Sequence, residues 1–228
     1  MNKKPVVYLS AGHGGSDPGA CAYGLKEKDI NLVTMLACNE VLVRHGVITV
    51  LSRTTDANDP VQQEVAEANA SGAILAFSIH TNAGGGDGWE GFYYKGNADG
   101  LKLAKLCEKY VKELGQNSRG CKTNNLMFTR ETTMTAVLVE NFFIDNAKDK
   151  TIGDTVAEQK AFGVAYAKAI LEYLGIAYKS AGTTSGSKPT TSDKLYRVYE
   201  QKGAFSVKAN AEKLQKELQT AGKIAVII

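Results

Sequence analysis

The residues best suited to chemistry are two of the chain's three histidines and two of its glutamates. His13 follows a run of apolar, largely β-branched residues, His80 ends a second such run and Glu140 ends a third. Glu27 begins a helical pattern directly after the first glycine-rich loop. Because the carboxyl ends of parallel strands meet at one edge of a sheet, we expect these four side chains to converge there.

Two neutral imidazoles and one carboxylate form a ligand set that hydrolytic zinc sites use, with one position left for water. Zinc held in this way lowers the pKa of its water toward ~7 and polarises a carbonyl group. A second carboxylate then accepts the proton of the water and passes it to a leaving nitrogen. The chain offers Glu27 and Glu140 for these two tasks, and their residue type alone does not assign them.

Each candidate also has a structural interpretation. Glu27 is placed as an acidic residue in the first turn of a helix, which the helix dipole favours. Glu140 is harder to explain this way, because it interrupts the apolar sequence AVLVENFF and a buried carboxylate requires a partner or a function. His45 adjoins Gly46 at a helix end and is interpreted as a capping or surface residue. Asp17 is interpreted as a turn residue.

The alternation of apolar strands and helical patterns predicts an α/β fold, a mostly parallel twisted sheet with helices on both faces. Strands are predicted at 6–10, 47–51, 73–80, 89–95 and 136–140, with a short extended segment at 125–130. Helices are predicted at 27–44, 61–71, 101–114 and 156–174.

The composition predicts a catalytic domain at 1–178, a flexible linker at 179–193 and a small β-α-β segment at 194–228. The linker is rich in Gly, Ser, Thr and Lys and almost free of apolar side chains. Residues 194–228 hold seven Lys or Arg and three Glu, a charge of +4, so the other 193 residues carry 3 − 4 = −1. Because the last segment is too small to bury its own core, we expect it to pack on the main domain or to pair with a second copy.

The overall composition excludes some partners and predicts a compartment. A net charge of +3 gives no argument for a nucleic-acid or membrane partner, and no apolar stretch approaches the ~18 residues of a membrane span. The first residues lack a secretory signal pattern, which predicts synthesis in the cytoplasm and action on any external substrate only after release. The four cysteines form no CxxC pair and are expected to be reduced thiols.

Four motifs in this order resemble the zinc N-acetylmuramoyl-L-alanine amidases of the amidase-3 type, over about residues 5–175. They are AGHGGSDPGA at 11–20, KEKDINL at 26–32, SIHTNA at 78–83 and VLVENFFI at 137–144. The resemblance implies that His13, Glu27 and His80 bind Zn²⁺ and that Glu140 is the catalytic glutamate. It also implies that the substrate is peptidoglycan, cut between N-acetylmuramic acid and L-alanine, with lysis of the cell wall.

The chain lacks a signal pattern, and in this respect it resembles the phage or prophage endolysins of that family. Residues 194–228 resemble half of a SPOR (sporulation-related repeat) module, which implies wall binding or a homodimer that rebuilds the whole module. Two other interpretations remain open, a non-catalytic wall-binding protein and a zinc peptidase or deacetylase that acts on wall polymers.

Overall fold

The structure, a computed structural model, describes residues 4–180 of the 228-residue chain. Strands and helices alternate along this part, with one 3-10 helix, Asp149–Ile152, before the last α-helix. The strands are β1 (Val6–Ala11), β2 (Cys21–Ala22), β3 (Leu25–Lys26), β4 (Ile48–Leu51), β5 (Leu75–Asn82), β6 (Trp89–Tyr93), β7 (Ser118–Thr123) and β8 (Thr135–Phe143). The helices are α1 (Glu27–Arg44), α2 (Val61–Ala70), α3 (Ala98–Lys112), α4 (Met127–Glu131) and α5 (Val156–Tyr173).

Six strands form one sheet in the order β4-β1-β5-β8-β6-β7. The first four pair in parallel, whereas β6 runs antiparallel to β8 and pairs in parallel with β7. The predicted α/β fold with a mostly parallel sheet is therefore confirmed. The carboxyl ends of β1, β5 and β8 meet at one edge, where the register places His80 of β5 beside Glu140 of β8.

Helices cover both faces of the sheet because successive side chains of each strand point to opposite sides. Val7 and Phe77 belong to the larger apolar layer, which lies under α1, α3 and α5. Tyr8 and Ala76, their neighbours along the chain, belong to a smaller layer under α2 and α4. By the same alternation, the side chains of His80 and Glu140 point to the same side of the sheet as that of Ala76. They therefore lie at the edge of the face that carries the smaller apolar layer, which we call the second face.

Packing of α1 against α5 fixes where the first residue of α1, Glu27, lies. At Gly163 in α5, a Cβ atom would come within 2.3 Å of the backbone oxygen of Thr34 in α1. Only glycine allows this approach, and a larger side chain in so tight a contact costs about 1–3 kcal/mol. Charge supports the same helix, because Glu27 and Asp29 lie in its first turn and Arg44 in its last.

The observed fold differs most from the predicted secondary structure in two parts. The short strands β2 and β3 and the 3-10 helix were not predicted either, and β8 continues to Phe143, beyond the predicted end at 140. The segment 125–130 was expected to be extended, but Met127–Glu131 form the helix α4, whose Phe128 is buried in the smaller apolar layer. The strand β7 was not predicted, because its sequence SRGCKT lacks apolar alternation. One segment is short and the other is polar, so hydrophobic periodicity is a weak signal in both.

The predicted β-α-β segment and all but the first two residues of the predicted linker lie outside the described residues. The domain boundaries, the half-SPOR module and the homodimer therefore stay predictions. All four cysteines are unpaired thiols, with Cys38 and Cys107 buried. Within residues 4–180, no helix has the length and apolar character that crossing a bilayer requires.

A buried pair of acidic residues, Asp59 and Glu64, lies beneath the edge of the second face. The hydroxyl of Ser10 donates to Oε1 of Glu64 at 2.7 Å, whereas neither carboxylate oxygen of Asp59 has a hydrogen-bond donor within the described chain. Burial, and then the charge of Asp59, raise the pKa of Glu64 to about 7 in spite of Ser10 and the nearby Arg53. The folded protein therefore holds a proton on this pair that the unfolded chain releases near the ordinary value of 4.5.

This proton makes stability depend on pH. A carboxyl whose pKa is raised on folding contributes stability below its unfolded pKa, and the contribution is lost as pH rises through the folded value. We expect the free energy of unfolding to fall between about pH 5 and about pH 8, and to fall less in Glu64→Gln. Denaturant titrations at both pH values measure this, with the exposed Glu40→Gln as control. An equal fall in Glu64→Gln and wild type would show that the pair does not hold the proton.

Candidate metal and catalytic centre

His13 lies two residues beyond β1 and has an unusual backbone. Its φ of 65° is in the left-handed region, which residues other than glycine rarely adopt. Strained backbone of this kind concentrates at functional sites, where the surrounding structure maintains it. Its imidazole Nε2 lies 3.3 Å from Oε1 of Glu27.

Glu27 is buried, and the protein holds its carboxylate from several sides. The backbone N–H of Ala20 donates to Oε2 at 2.9 Å, and that of Thr81 donates to Oε1 at 3.0 Å. Asn31, one turn along α1, donates from Nδ2 to Oε1 at 3.3 Å. The carboxylate thus links the loop after β1 to the end of β5, and its position is set by the fold itself.

His80, near the end of β5, completes the group, with Nδ1 3.1 Å from Oε1 of Glu27. Its ring lies against the backbone of Gly12, where a Cβ atom would come within 2.1 Å of the ring carbon Cε1. Gly19 has a φ of +62°, and a Cβ there would lie 2.6 Å from Oε2 of Glu27. These two glycines leave the space that His80 and Glu27 occupy.

His13, Glu27 and His80 together fit a zinc ion. One donor atom from each lies within 4.8 Å of the other two, and the two histidine nitrogens lie 3.3 and 3.1 Å from the shared Oε1. Ligands about 2.0–2.1 Å from a tetrahedral zinc are roughly 3.3 Å apart, so these spacings match. Two imidazoles and a carboxylate are also the donor types of open, hydrolytic zinc sites.

Without a metal, the charges within this group form an ion pair between His13 and Glu27. The hydrogen bond with Glu27, followed by that with Asp17, raises the pKa of His13 to about 9, although burial opposes this. Burial raises the pKa of Glu27, but its hydrogen bonds with His13 and His80 outweigh burial and hold the pKa far below its usual range. Glu27 is therefore ionised, and a metal bound at this group would displace a proton from His13.

Asp17 has a role that the sequence interpretation did not include. Its Oδ2 lies 2.8 Å from Nδ1 of His13, and its Oδ1 accepts the backbone N–H of Gly19 at 3.0 Å. A carboxylate on the far nitrogen of a ligating histidine fixes its tautomer and orientation. Here it leaves Nε2 of His13 free to face Glu27. The four-residue spacing of His13 and Asp17 across a glycine-rich turn is the sequence signal that could have indicated this pair.

We expect Asp17→Asn to weaken metal affinity about 10- to 100-fold, because the amide cannot hold the imidazole as the carboxylate does. The amide oxygen still accepts the Gly19 N–H, so the turn is retained. Competition with a chromogenic chelator measures the affinity, and Asp29→Asn, an exposed change in the first turn of α1, is the matched control. Equal affinities in the two variants would contradict this role of Asp17.

Glu140 lies beside His80 in the register of β5 and β8 but belongs to a different part of the site. Its Oε2 is buried and has no hydrogen-bond partner among residues 4–180. Burial raises the pKa of Glu140 well above its usual range, and the charges of Glu27 and Glu90 add to this effect. A raised carboxyl pKa strengthens the carboxylate as a base and lets the carboxyl hold a proton that it can pass on, as a general acid–base residue requires.

A polar network on the far side of Glu140 was also missed from the sequence. Glu90 of β6 lies opposite Glu140 in the antiparallel pairing and is buried. Its Oε2 accepts a hydrogen bond from Nδ2 of Asn82 at 3.1 Å. Its Oε1 accepts hydrogen bonds from both Nε of Arg119 and Nζ of Lys122. These cations come from β7, the strand whose polar sequence concealed it.

The other residues considered in the sequence have the following places. His45 caps α1 through Val41, as expected for a structural histidine, and accepts the backbone N–H of Lys179. Gly14 and Gly15 pack against the loop at 57–58, where a Cβ atom on either would meet Ala57 or Asn58. A Cβ at Gly84 or Gly85 would meet no atom within 4 Å, so open space is found at that loop instead.

Comparison with known proteins identifies the family. Residues 7–172 match the N-acetylmuramoyl-L-alanine amidase family, a span that includes all four site residues. The N-acetylmuramoyl-L-alanine amidase CwlM of Bacillus licheniformis is 34% identical over 226 residues, covering 97% of this chain and 84% of that protein. The endolysin of Bacillus phage SPP1 is 38% identical over 205 residues, covering 83% of this chain and 72% of that protein.

A solved structure shows the same fold. The catalytic domain of CwlV, an N-acetylmuramoyl-L-alanine amidase from Bacillus (Paenibacillus) polymyxa, superposes with a TM-score of 0.71 at 31% identity. The similarity covers 76% of this chain and 99% of that domain. The family match spans well over half of the chain, and its motifs coincide with the buried group around Glu27. The chain therefore belongs to the N-acetylmuramoyl-L-alanine amidase family.

Proposed function

We propose that this protein hydrolyses the amide bond between the lactyl group of N-acetylmuramic acid and L-alanine in peptidoglycan. The observation that carries the proposal is the position of Glu140. Its Oε2, which has no hydrogen-bond partner among residues 4–180, belongs to a side chain beside His80, next to three side chains whose donor atoms are spaced as zinc ligands. Family membership supports this substrate, and the arrangement of these four side chains supports a hydrolytic centre.

His13, Glu27 and His80 would hold the Zn²⁺ ion, leaving a fourth position for water or substrate. Bound there, the ion would lower the pKa of a water toward ~7, polarise the lactyl carbonyl and favour the ionised form of Glu140. Asp17 keeps His13 in the orientation that faces Glu27.

Glu140 acts twice in this proposal. It accepts a proton from the water as the water attacks the lactyl carbonyl carbon, and it then donates that proton to the alanine nitrogen as the carbon–nitrogen bond breaks. The buried surroundings that raise its pKa assist the first step, because they make the carboxylate a stronger base toward the water. The products are a lactyl carboxylate on the glycan and a peptide with a free amino-terminal alanine.

The proposed place of action is the bacterial cell wall, reached after release from the cell in which the protein is made. Similarity to a phage endolysin supports a wall-lytic role of this kind. The match to CwlM covers 97% of the chain and so extends into residues 181–228. The alignment gives this segment a counterpart in a related amidase. The proposals that it resembles half of a SPOR module, and that it binds wall or forms a homodimer, rest on its own sequence.

Lysis of purified walls tests the proposed function. We expect the turbidity of a wall suspension to fall with enzyme, to stop falling with a chelator, and to fall again after Zn²⁺ is restored. Labelling of new amino termini should identify alanine. A protein that binds walls without clearing them would be a binding module, and release of acetate without new alanine termini would indicate a deacetylase.

A further inference from the structure

A row of polar side chains crosses four neighbouring strands at the site. His80 of β5, Glu140 of β8 and Glu90 of β6 are adjacent in register, so their side chains lie on the same face of the sheet. Beyond Glu90, the row continues with Arg119 and Lys122 of β7, whose charged groups both contact Oε1 of Glu90. The row therefore connects the proposed metal ligands to two cations.

Both cations are available to a ligand, whereas the carboxylate between them is not. The side chain of Glu90 is only 7% exposed, but those of Arg119 and Lys122 are 44% and 39% exposed. In the described part of the chain, neither Nη atom of Arg119 has a hydrogen-bond partner, and its guanidinium lies 5.2 Å from the ring centroid of Phe143. The phenyl ring and Glu90 thus orient a guanidinium whose free N–H groups face solvent.

The charges in this cluster do not cancel. Two cations share a single carboxylate, and the pKa of Glu90 stays low because Lys122 and Arg119 bond to it, although burial opposes this. One net positive charge therefore remains at the exposed surface. One cation is enough to neutralise the carboxylate of Glu90. The charge of the second cation is therefore available to another anion.

We propose that Arg119 and Lys122 form a subsite that receives a carboxylate of the stem peptide, on the leaving-group side of the scissile amide. The subsite rests on the proposed function, because it assumes that the alanine nitrogen leaves near Glu140. Arg119 offers the two parallel N–H groups that match a carboxylate, and Lys122 adds a point charge.

The reach of the substrate agrees with this placement. The two cationic groups meet above β6, one strand spacing or about 5 Å from the strand of Glu140. A peptide advances at most about 3.3–3.6 Å per residue, so the residue that follows L-alanine brings its α-carboxylate to this distance. That residue therefore decides whether a carboxylate or a neutral amide meets the subsite.

Two synthetic substrates that differ only at this group test the proposal. They are N-acetylmuramoyl-L-alanyl-D-isoglutamine, whose α-carboxyl is amidated, and the D-glutamate compound, whose α-carboxylate is free, each with its γ-carboxyl blocked as an amide. We expect wild type to cleave the acid with about tenfold higher kcat/KM, the size of one charge-assisted hydrogen bond. Arg119→Gln and Lys122→Gln should each reduce this ratio, whereas Arg130→Gln, on α4 and paired with Glu131, should keep it.

A ratio near one in wild type would overturn the subsite, as would an Arg119→Gln variant that loses activity equally on both compounds. Binding of the two compounds to Glu140→Gln gives a second measurement that needs no turnover. A preference for the acid in binding that Arg119→Gln removes would support the subsite even if neither compound were cleaved. In that case only the proposed reaction would have failed, so the two failures are distinguishable.

Discussion

Replacing Glu140 with glutamine is expected to reduce wall hydrolysis by about 10²- to 10⁴-fold, the contribution typical of general acid–base catalysis. Glutamine keeps the shape of the side chain but neither accepts the proton of the water nor returns it to the alanine nitrogen. Stability should not fall, because the substitution removes a buried carboxylate oxygen that has no hydrogen-bond partner among residues 4–180. The melting temperature should be equal to that of wild type or higher.

Wall hydrolysis, melting temperature and metal content, measured together, separate a catalytic role of Glu140 from a structural one. Glu140→Gln should retain metal content and fold while losing activity, and Glu40→Gln, an exposed change on α1, should retain all three. If Glu140→Gln cleared walls at the wild-type rate, the assignment of Glu140 would be wrong. If it lost its metal together with its activity, Glu140 would belong to the ligand set instead.

The second large effect is expected on removal of a ligand. His80→Ala deletes one of three donors. It also removes a partner of the Glu27 carboxylate, because Nδ1 of His80 lies 3.1 Å from Oε1 of Glu27. We expect substoichiometric zinc by elemental analysis and a loss of several kcal/mol of transition-state stabilisation, about a thousandfold in rate. A chelator applied to wild type should produce the same loss, and added Zn²⁺ should reverse it only in wild type.

The remaining histidine is the matched control for this experiment. His45→Ala removes an imidazole that caps α1 through Val41, far along the helix from Glu27. Metal content and wall hydrolysis should be those of wild type. Full activity in His80→Ala, or a metal loss in His45→Ala equal to that in His80→Ala, would contradict the proposed ligand set.

The sequence indicated the site well because its residues follow strong local signals. His80 and Glu140 end runs of apolar residues, and Glu27 opens a long helix, so topology alone brings them to one edge. Glu140 was the most informative, since a carboxylate in an apolar strand requires an explanation. The roles of the two glutamates came from the family resemblance, and the structure places Glu27 within reach of both histidines and Glu140 outside that group.

What the sequence did not indicate depends on tertiary contacts between polar residues. In the sequence, Asp17 cannot be distinguished from an ordinary turn aspartate. Only the fold brings its Oδ2 to Nδ1 of His13. Glu90, Arg119 and Lys122 meet because β6 and β7 run against the rest of the sheet, and β7 carries no apolar alternation that would predict a strand. The helix α4 is too short for a helical repeat of apolar residues to be recognised in its sequence. Its contact with the sheet is made by Phe128, which is buried in the smaller apolar layer.

The most direct test of the proposed reaction is mass spectrometry of peptidoglycan fragments released by the purified protein, with zinc measured on the same sample. Cleavage of the proposed amide predicts intact glycan strands whose muramic acid ends in a lactyl carboxylate, together with stem peptides that begin with a free alanine amino group. Glu140→Gln should release neither product. Peptides cut at another bond, or deacetylated sugars with the stem still attached, would contradict the proposed function.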